Sequence, residues 1–85
     1  MHILSQDEKT LVNYDLVPSF SVQRVVCAVP VEKEWIVKAY TPYNHVEIYS
    51  TVSEKEAKEI LILLNSCYIG GYGFVNLSTI KETEL

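Results

Sequence analysis

The side chains that could support catalysis or metal binding are few in this sequence, and they are widely spaced. Its two histidines are His2, near the start, and His45, in a segment rich in turn-forming residues. A metal site would need a further ligand, such as Asp7, Asp15 or Glu47, and nothing in the spacing indicates one. We therefore expect both histidines at the surface, and we predict that the protein binds no metal and no cofactor.

The two cysteines, Cys27 and Cys67, lie among apolar neighbours and lack the C-x-x-C spacing of redox or zinc sites. We expect both to be reduced core residues. Three glutamates near a predicted helix start, Glu54, Glu56 and Glu59, fit helix capping and the helix dipole better than acid–base catalysis. Because no nucleophile stands beside a positioned base, the sequence predicts no catalytic residues and a protein that is not an enzyme.

Length and composition are typical of one small globular domain. The chain has 85 residues, of which 48% are hydrophobic, and eleven acidic against seven basic residues give a net charge of −4. This charge repels a nucleic-acid backbone and the basic residues form no run, so we do not expect binding to duplex nucleic acid. The apolar runs are far shorter than the roughly 20 residues of a membrane span, and we recognise no secretory leader. We expect a soluble, cytoplasmic protein without a membrane partner.

Five segments before the helix predict β-strands. Short β-favouring segments on either side of "QDEK" predict a first hairpin, and "FSVQRVVCAV", residues 20–29, predicts the longest strand. A turn at 31–34 leads into "EWIVKAY", which alternates as a half-buried strand does. "TPYNH" predicts the next turn, after which "VEIYS" places Val46 and Ile48 inward and Glu47 and Tyr49 outward. Tight turns between these strands predict antiparallel pairing.

The period changes at Ser53, where "SEKE" predicts the start of a helix. In this capping box Ser53 is the N-cap and Glu56 reaches back to it. Apolar positions from Ala57 to Tyr68 then recur on one stripe, which we expect to face the sheet. Gly70 follows the last periodic position, where a left-handed glycine commonly ends a helix. The glycines therefore predict a helix end rather than a phosphate-binding loop, because such loops precede a helix.

Together these elements predict an α+β fold in the order βββββαβ. We expect a mostly antiparallel, curled sheet of five to six strands with one helix packed on one face. Residues 1–77 form the predicted single domain, and residues 78–85 form a polar, frayed C-terminal tail.

The predicted sheet carries more apolar residues than one helix can cover. Apolar side chains point away from the helix along the two central strands, so the sheet either curls on itself or meets a partner. Ile62 and Ile69 lie on the helix face opposite the packed stripe. The predicted interaction surface consists of these two isoleucines with Ile36, Tyr40, Tyr43 and Tyr49.

Three hypotheses of function follow from this surface and from the scattered polar residues. The first is a self-associating protein-interaction module that forms a homodimer or a higher homo-oligomer, or binds another protein. The alternative is a weak binder of single-stranded nucleic acid through Tyr40, Tyr43 and Tyr49. An enzyme is the third, and it requires a deep pocket where Asp7, His45 or Glu47 converge.

The opening "ILSQDEKTLVNYD" resembles the start of small uncharacterised proteins of Gram-positive bacteria and their phages and mobile elements. Those proteins begin with a short strand, an I-x-S-Q-D turn often followed by glycine, and a second strand. The later "SEKEA" is similar to the helix start of the same group, whereas Glu8 stands here in place of the turn glycine. The resemblance implies a bacterial or phage setting, and it implies no activity and no site residue.

Overall fold

The computed structural model describes residues 1–25 and 34–80, and these residues form an α+β fold with one helix. The elements in chain order are β1 (His2–Leu4), β2 (Leu11–Asn13), a 3₁₀ turn (Tyr14–Leu16), β3 (Ser19–Arg24), β4 (Trp35–Tyr40), β5 (His45–Thr51), α1 (Glu54–Ile69), β6 (Phe74–Asn76) and a second 3₁₀ turn (Leu77–Thr79). Their order βββββαβ is the one that the sequence predicts. Residues 26–29 of the predicted longest strand, with Cys27, lie outside the described residues.

The strands form two small sheets, so the prediction of a single curled sheet of five to six strands is wrong. The first sheet has the order β2-β1-β6, and the second has the order β3-β4-β5. The chain leaves the first sheet at Asn13, whose side-chain oxygen accepts a hydrogen bond from the Asp15 amide at 3.0 Å and begins the 3₁₀ turn. β3 therefore does not continue from β2 as a hairpin.

The first sheet is mixed, because β6 joins it from the far end of the chain. β1 pairs with β2 antiparallel and with β6 parallel. Each strand contributes its middle residue to the core, and Ile3 is paired with Val12 on one side and with Val75 on the other. Three short strands thus bury one apolar side chain each, which leaves most of their length at the surface.

The second sheet is antiparallel throughout, and it contains one β-bulge. β4 pairs Val37 with Tyr49 but Lys38 with Glu47, so Ile48 is an extra residue in β5. The bulge turns both Ile48 and Tyr49 into the core, where their side chains are 1% and 2% exposed. The predicted alternation of β5 is therefore correct up to Ile48. The prediction that Tyr49 points outward is wrong, because the ring is buried.

α1 packs across all three strands of the second sheet. Its inner side contributes Ala57, Ile60 and Leu64 to the same core cluster as Val37 and Tyr49. The helix ends as a Schellman motif, in which the Tyr72 amide donates to the Cys67 carbonyl at 3.0 Å and the Gly71 amide donates to the Tyr68 carbonyl at 3.1 Å. The left-handed residue is Gly71, with φ of 79°, whereas Gly70 is the C-cap in right-handed geometry. The predicted helix end is correct to within one residue.

Part of the predicted tail has regular structure. Leu77 is fully buried and begins the second 3₁₀ turn, in which the Ser78 hydroxyl donates to the side-chain oxygen of Asn76 at 2.6 Å. Residues 81–85, the remainder of the predicted tail, lie outside the described residues.

Candidate interaction surfaces

The side of α1 that faces away from the sheets carries two exposed isoleucines. Ile62 is 65% exposed and Ile69 is 76% exposed, although both are large apolar side chains. They are seven residues apart, and Ser66 lies between them, so the three share one side of the helix. We call Ile62, Ser66 and Ile69 the outer helix surface. The preceding turns are polar and include an ion pair between Lys58 and Glu54 at 3.5 Å.

The other four residues of the predicted interaction surface do not lie on the outer helix surface. Ile36 is 7% exposed and Tyr49 is 2% exposed, so neither forms part of an accessible surface. Tyr43 is almost fully exposed in the turn between β4 and β5. Tyr40 lies half-buried at the end of β4, and its hydroxyl accepts a hydrogen bond from the Gln23 side-chain nitrogen at 2.6 Å.

The outer face of the second sheet is mostly polar in the described residues. Tyr40 and Ile36 share this face with polar side chains from all three strands, which the pairing places beside them: Ser21, Gln23, Lys38, Glu47 and Ser50. Val25 is half-buried, and Cys27 and Val29 lie outside the described residues. Ile36 and Tyr40 thus point away from the helix, as the sequence predicts, but they lie among polar side chains in the described part of this face.

A buried carboxylate joins β5 to the start of α1. Glu56 is 8% exposed, and it accepts hydrogen bonds from the Tyr49 hydroxyl at 3.1 Å and the Thr51 hydroxyl at 3.0 Å. Thr51 in turn accepts from the amide of Ser53, and the Ser53 hydroxyl accepts from the amide of Glu56. Ser53 is thus the predicted N-cap, but Glu56 reaches the strand instead of the N-cap amide, and Thr51 takes its place there.

The Ser-Gln-Asp segment forms the turn between β1 and β2. The Ser5 hydroxyl is buried, donates to the Asp7 carboxylate at 2.6 Å and accepts from the Thr10 amide at 3.1 Å. This hydrogen bond from Ser5, followed by one from the Lys9 amide, holds the pKa of Asp7 below its ordinary value. Glu8 has a φ of 63°, in the left-handed region that favours glycine.

Gln6 connects this turn to the outer edge of β5, the edge that faces away from β4. Its backbone amide donates to the Ile48 carbonyl at 2.8 Å. Its side-chain oxygen accepts from the Ser50 amide at 2.9 Å, and its side-chain nitrogen donates to the Ser50 carbonyl at 3.1 Å. The side-chain amide therefore pairs with Ser50 as a neighbouring strand would, and we call these three contacts the Gln6 clamp. No pattern in the sequence indicates it, because the two segments are far apart in the chain.

Three aromatic rings stack where the first 3₁₀ turn meets β3 and α1. The Tyr14 ring lies between Phe20 and Tyr68, with centroid distances of 5.2 Å and 4.4 Å. The Asp15 carboxylate accepts hydrogen bonds from the Tyr68 hydroxyl and from the amino group of Met1, and these bonds, the one from Tyr68 first, lower the pKa of Asp15. The same carboxylate raises the pKa of Tyr68. The stack fixes the start of β3 against the last turns of the helix.

Two open clefts are relevant to the predicted chemistry. One, of about 120 Å³, brings Asp7 and Glu47 together beside Gln6, but His45 does not line it. The other, of about 410 Å³, lies between the start of β3 and α1, and Phe20 and Leu61 are among its lining residues. Within residues 1–25 and 34–80, no three His, Cys, Asp or Glu side chains lie close enough together to hold a metal ion. His2 and His45 are exposed, and Cys67 is half-buried and free.

No protein-family model, curated protein sequence or solved structure matches this chain. Among the described residues, no helix has the length and apolar character needed to cross a membrane.

Proposed function

We propose that this chain is a non-enzymatic protein-interaction module that self-associates through the outer helix surface. The observation that carries the proposal is the exposure of Ile62 and Ile69 on the side of α1 that contacts neither sheet, at 65% and 76%. Complete burial of an exposed isoleucine side chain contributes about 1.5–3 kcal/mol. A two-fold interface uses each residue twice, so two isoleucines per chain supply four buried side chains.

The spacing of the outer helix surface suits helix-to-helix packing. Ile62, Ser66 and Ile69 follow the four-then-three spacing of the seam between paired helices. The small side chain of Ser66 between the two isoleucines lets a second helix approach closely. A second copy of α1 is therefore a matching partner, because it offers the same apolar residues at the same spacing.

The non-enzymatic part of the proposal is supported by the partners of the acidic side chains. Asp7 accepts hydrogen bonds from Ser5 and Lys9 within its own turn. Glu56 accepts hydrogen bonds from Tyr49 and Thr51. Both carboxylates thus have structural roles, and the two exposed histidines are not brought to either of them.

The alternative function, binding of single-stranded nucleic acid, gains no support from the positions of the three tyrosines. Tyr49 is buried, Tyr40 is half-buried on the outer sheet face and Tyr43 is at a turn. A stacking platform needs rings that are accessible side by side, with basic groups along the strand. The resemblance of the opening segment supports a bacterial or phage setting for the module, and it leaves the partner open.

Sedimentation equilibrium over a micromolar to millimolar range tests the proposal with a double variant, Ile62→Lys with Ile69→Lys. We expect the average mass of the natural chain to rise with concentration and that of the variant to be lower at each concentration. Leu16→Lys is the matched control, because Leu16 is 70% exposed but lies in the first 3₁₀ turn. A natural chain that is monomeric throughout, or a double variant with unchanged mass, would contradict the proposal.

A further inference from the structure

Four strands form the edges of the two sheets, and three of these edges have features that prevent pairing with another chain. β2 and β6 are only three residues long, which gives an incoming strand little to pair with. β5 is seven residues long, but a bulge interrupts it at Ile48 and the Gln6 clamp occupies its outer groups. Short length, bulges and coverage are the usual means by which proteins protect sheet edges.

The outer edge of β3 has none of these features in the described residues. The strand is six residues long and pairs with β4 in one continuous register, without a bulge. It contains no proline and no lysine, and Arg24 at its end is its one charged residue. β3 is therefore the unprotected edge of the described part of the molecule.

The hydrogen bonding of the β3–β4 pair determines which groups of β3 point outward. The Val25 amide donates to the Glu34 carbonyl at 2.6 Å, so the backbone groups of Val25 point toward β4. By alternation along the strand, the backbone groups of Gln23 and Ser21 also point toward β4. The backbone amides and carbonyls of Phe20, Val22 and Arg24 consequently point away from the sheet. Within residues 1–25 and 34–80, no group hydrogen-bonds to these outward amides and carbonyls.

We propose that the outer edge of β3 pairs antiparallel with β3 of a second copy of this chain, which would join two three-stranded sheets into one. This pairing goes beyond the proposed function, because it uses a surface separate from the outer helix surface. Addition of a strand at a free sheet edge is a common mode of recognition, in which main-chain hydrogen bonds supply affinity.

The residue types of β3 are complementary to themselves in one register. With the two-fold axis at Val22, the outward groups of Phe20, Val22 and Arg24 all find partners on the second copy. On the core side Val22 meets its own equivalent and Phe20 meets Arg24, and on the polar side Ser21 meets Gln23.

The cleft beside β3 favours the same register. Arg24 of the second copy lies opposite Phe20, which lines the cleft of about 410 Å³ between β3 and α1. A guanidinium over this ring would form a cation–π contact. The second copy would thereby cover Phe20 and Val22, which are only half-buried in a single chain.

Hydrogen exchange of individual amides tests the pairing in the full chain with Ile62→Lys and Ile69→Lys, which removes association through the helix. We expect the amides of Phe20, Val22 and Arg24 to exchange at least about tenfold more slowly at millimolar than at low micromolar concentration. The amides of Ser21 and Gln23, which point to β4, should be slow at both. Unchanged fast exchange of the three outward amides would overturn the inference and leave the proposed function standing.

A pair of variants at Arg24 gives a second, independent test. Arg24→Pro and Arg24→Ala both remove the exposed ion pair with Glu34, but only the proline removes the outward amide. Both variants also lose the cation–π contact with Phe20, so in the same helix-variant background we expect Arg24→Pro to raise the dissociation constant of the dimer at least about tenfold more than Arg24→Ala does. Equal dissociation constants for the two variants would contradict edge pairing, as would a chain that remains monomeric at millimolar concentration.

Discussion

The two edges of the second sheet are held in opposite ways. On the β5 side, polar side chains close the edge: Gln6 pairs with Ser50 from outside, and Glu56 binds Tyr49 and Thr51 from the helix. On the β3 side, the Tyr14 ring stacks on Phe20 from within the fold, and the outward backbone groups have no partner in the described residues. This difference is the basis on which we propose that β3, and not β5, pairs with another chain.

This comparison also separates two kinds of stabilisation. Hydrogen bonds to a buried carboxylate are directional, and removal of one partner leaves buried polar groups to be hydrated or repacked. Aromatic stacking stabilises mainly by area and tolerates small displacements. We therefore expect polar substitutions on the β5 side to cost more stability than comparable changes at the β3 edge.

The largest effect on this comparison is expected from Glu56→Ala. The change removes the acceptor of both the Tyr49 and Thr51 hydroxyls at a buried position, and we expect a loss of about 3 kcal/mol in the free energy of unfolding. Chemical denaturation followed by circular dichroism measures it. Glu54→Ala is the matched control, because Glu54 forms an exposed ion pair with Lys58, and such pairs contribute about 1 kcal/mol or less. Similar losses in the two variants would show that the buried network does not anchor β5.

A smaller effect is expected from Gln6→Ala, which opens the edge of β5. Loss of the two side-chain contacts to the Ser50 backbone should lower the free energy of unfolding by about 1–2 kcal/mol and should speed hydrogen exchange of the Ser50 amide about tenfold. Gln23→Ala removes an exposed glutamine on β3 and serves as the control. We expect it to leave the Ser50 amide unchanged, and an equal response of that amide to both variants would argue against the clamp.

The smallest effect is a pH dependence of the turn that holds Gln6. The pKa of Asp7 lies below its ordinary value of 3.8 because the carboxylate accepts hydrogen bonds from Ser5 and Lys9. A lowered pKa in the folded state means that the carboxylate stabilises the turn above about pH 4 and that this stabilisation is lost as the pH falls through the folded-state pKa.

Chemical shifts of the Lys9 and Thr10 amides between pH 2 and 6 measure this loss of the turn. The pKa of Asp15 is also lowered, so Asp7→Asn is needed to assign the change. The substitution should abolish the acid response of the Lys9 and Thr10 amides. It should leave the acid response of Tyr68 unchanged, because the Tyr68 hydroxyl is hydrogen-bonded to Asp15 and not to Asp7. A turn that responds to acid equally in both proteins would contradict the assignment to Asp7.

Local signals in the sequence predicted most elements of the fold and few of their partners. The turn residues at 41–44 and the capping serine at position 53 act within a few residues, so the hairpin of β4 and β5 and the start of α1 follow directly from them. The parallel pairing of β6 with β1 depends on residues at opposite ends of the chain. No turn signal reports such a pairing, and the prediction of one sheet failed for that reason.

The candidate surfaces show the same division between local and distant causes. Helical periodicity alone placed Ile62 and Ile69 away from the packed stripe, and both are exposed. Tyr49 was assigned to the surface by strict alternation, but the bulge at Ile48 shifts the alternation by one residue and turns the ring inward. A bulge has no reliable signal in one sequence, because it arises where two strands must fit the same core.

The sequence by itself determined the helix with its outer helix surface, the three antiparallel hairpin pairings and the apolar residues at the centre of the core. These depend on φ and ψ preferences, capping and periodicity, which act over a few neighbouring residues. Only the tertiary structure decided that there are two sheets, that Gln6 closes one edge and that, among the described residues, none pairs with the outer edge of β3. Those outcomes depend on which distant backbone groups find hydrogen-bond partners, and that competition is settled only when the whole chain is folded.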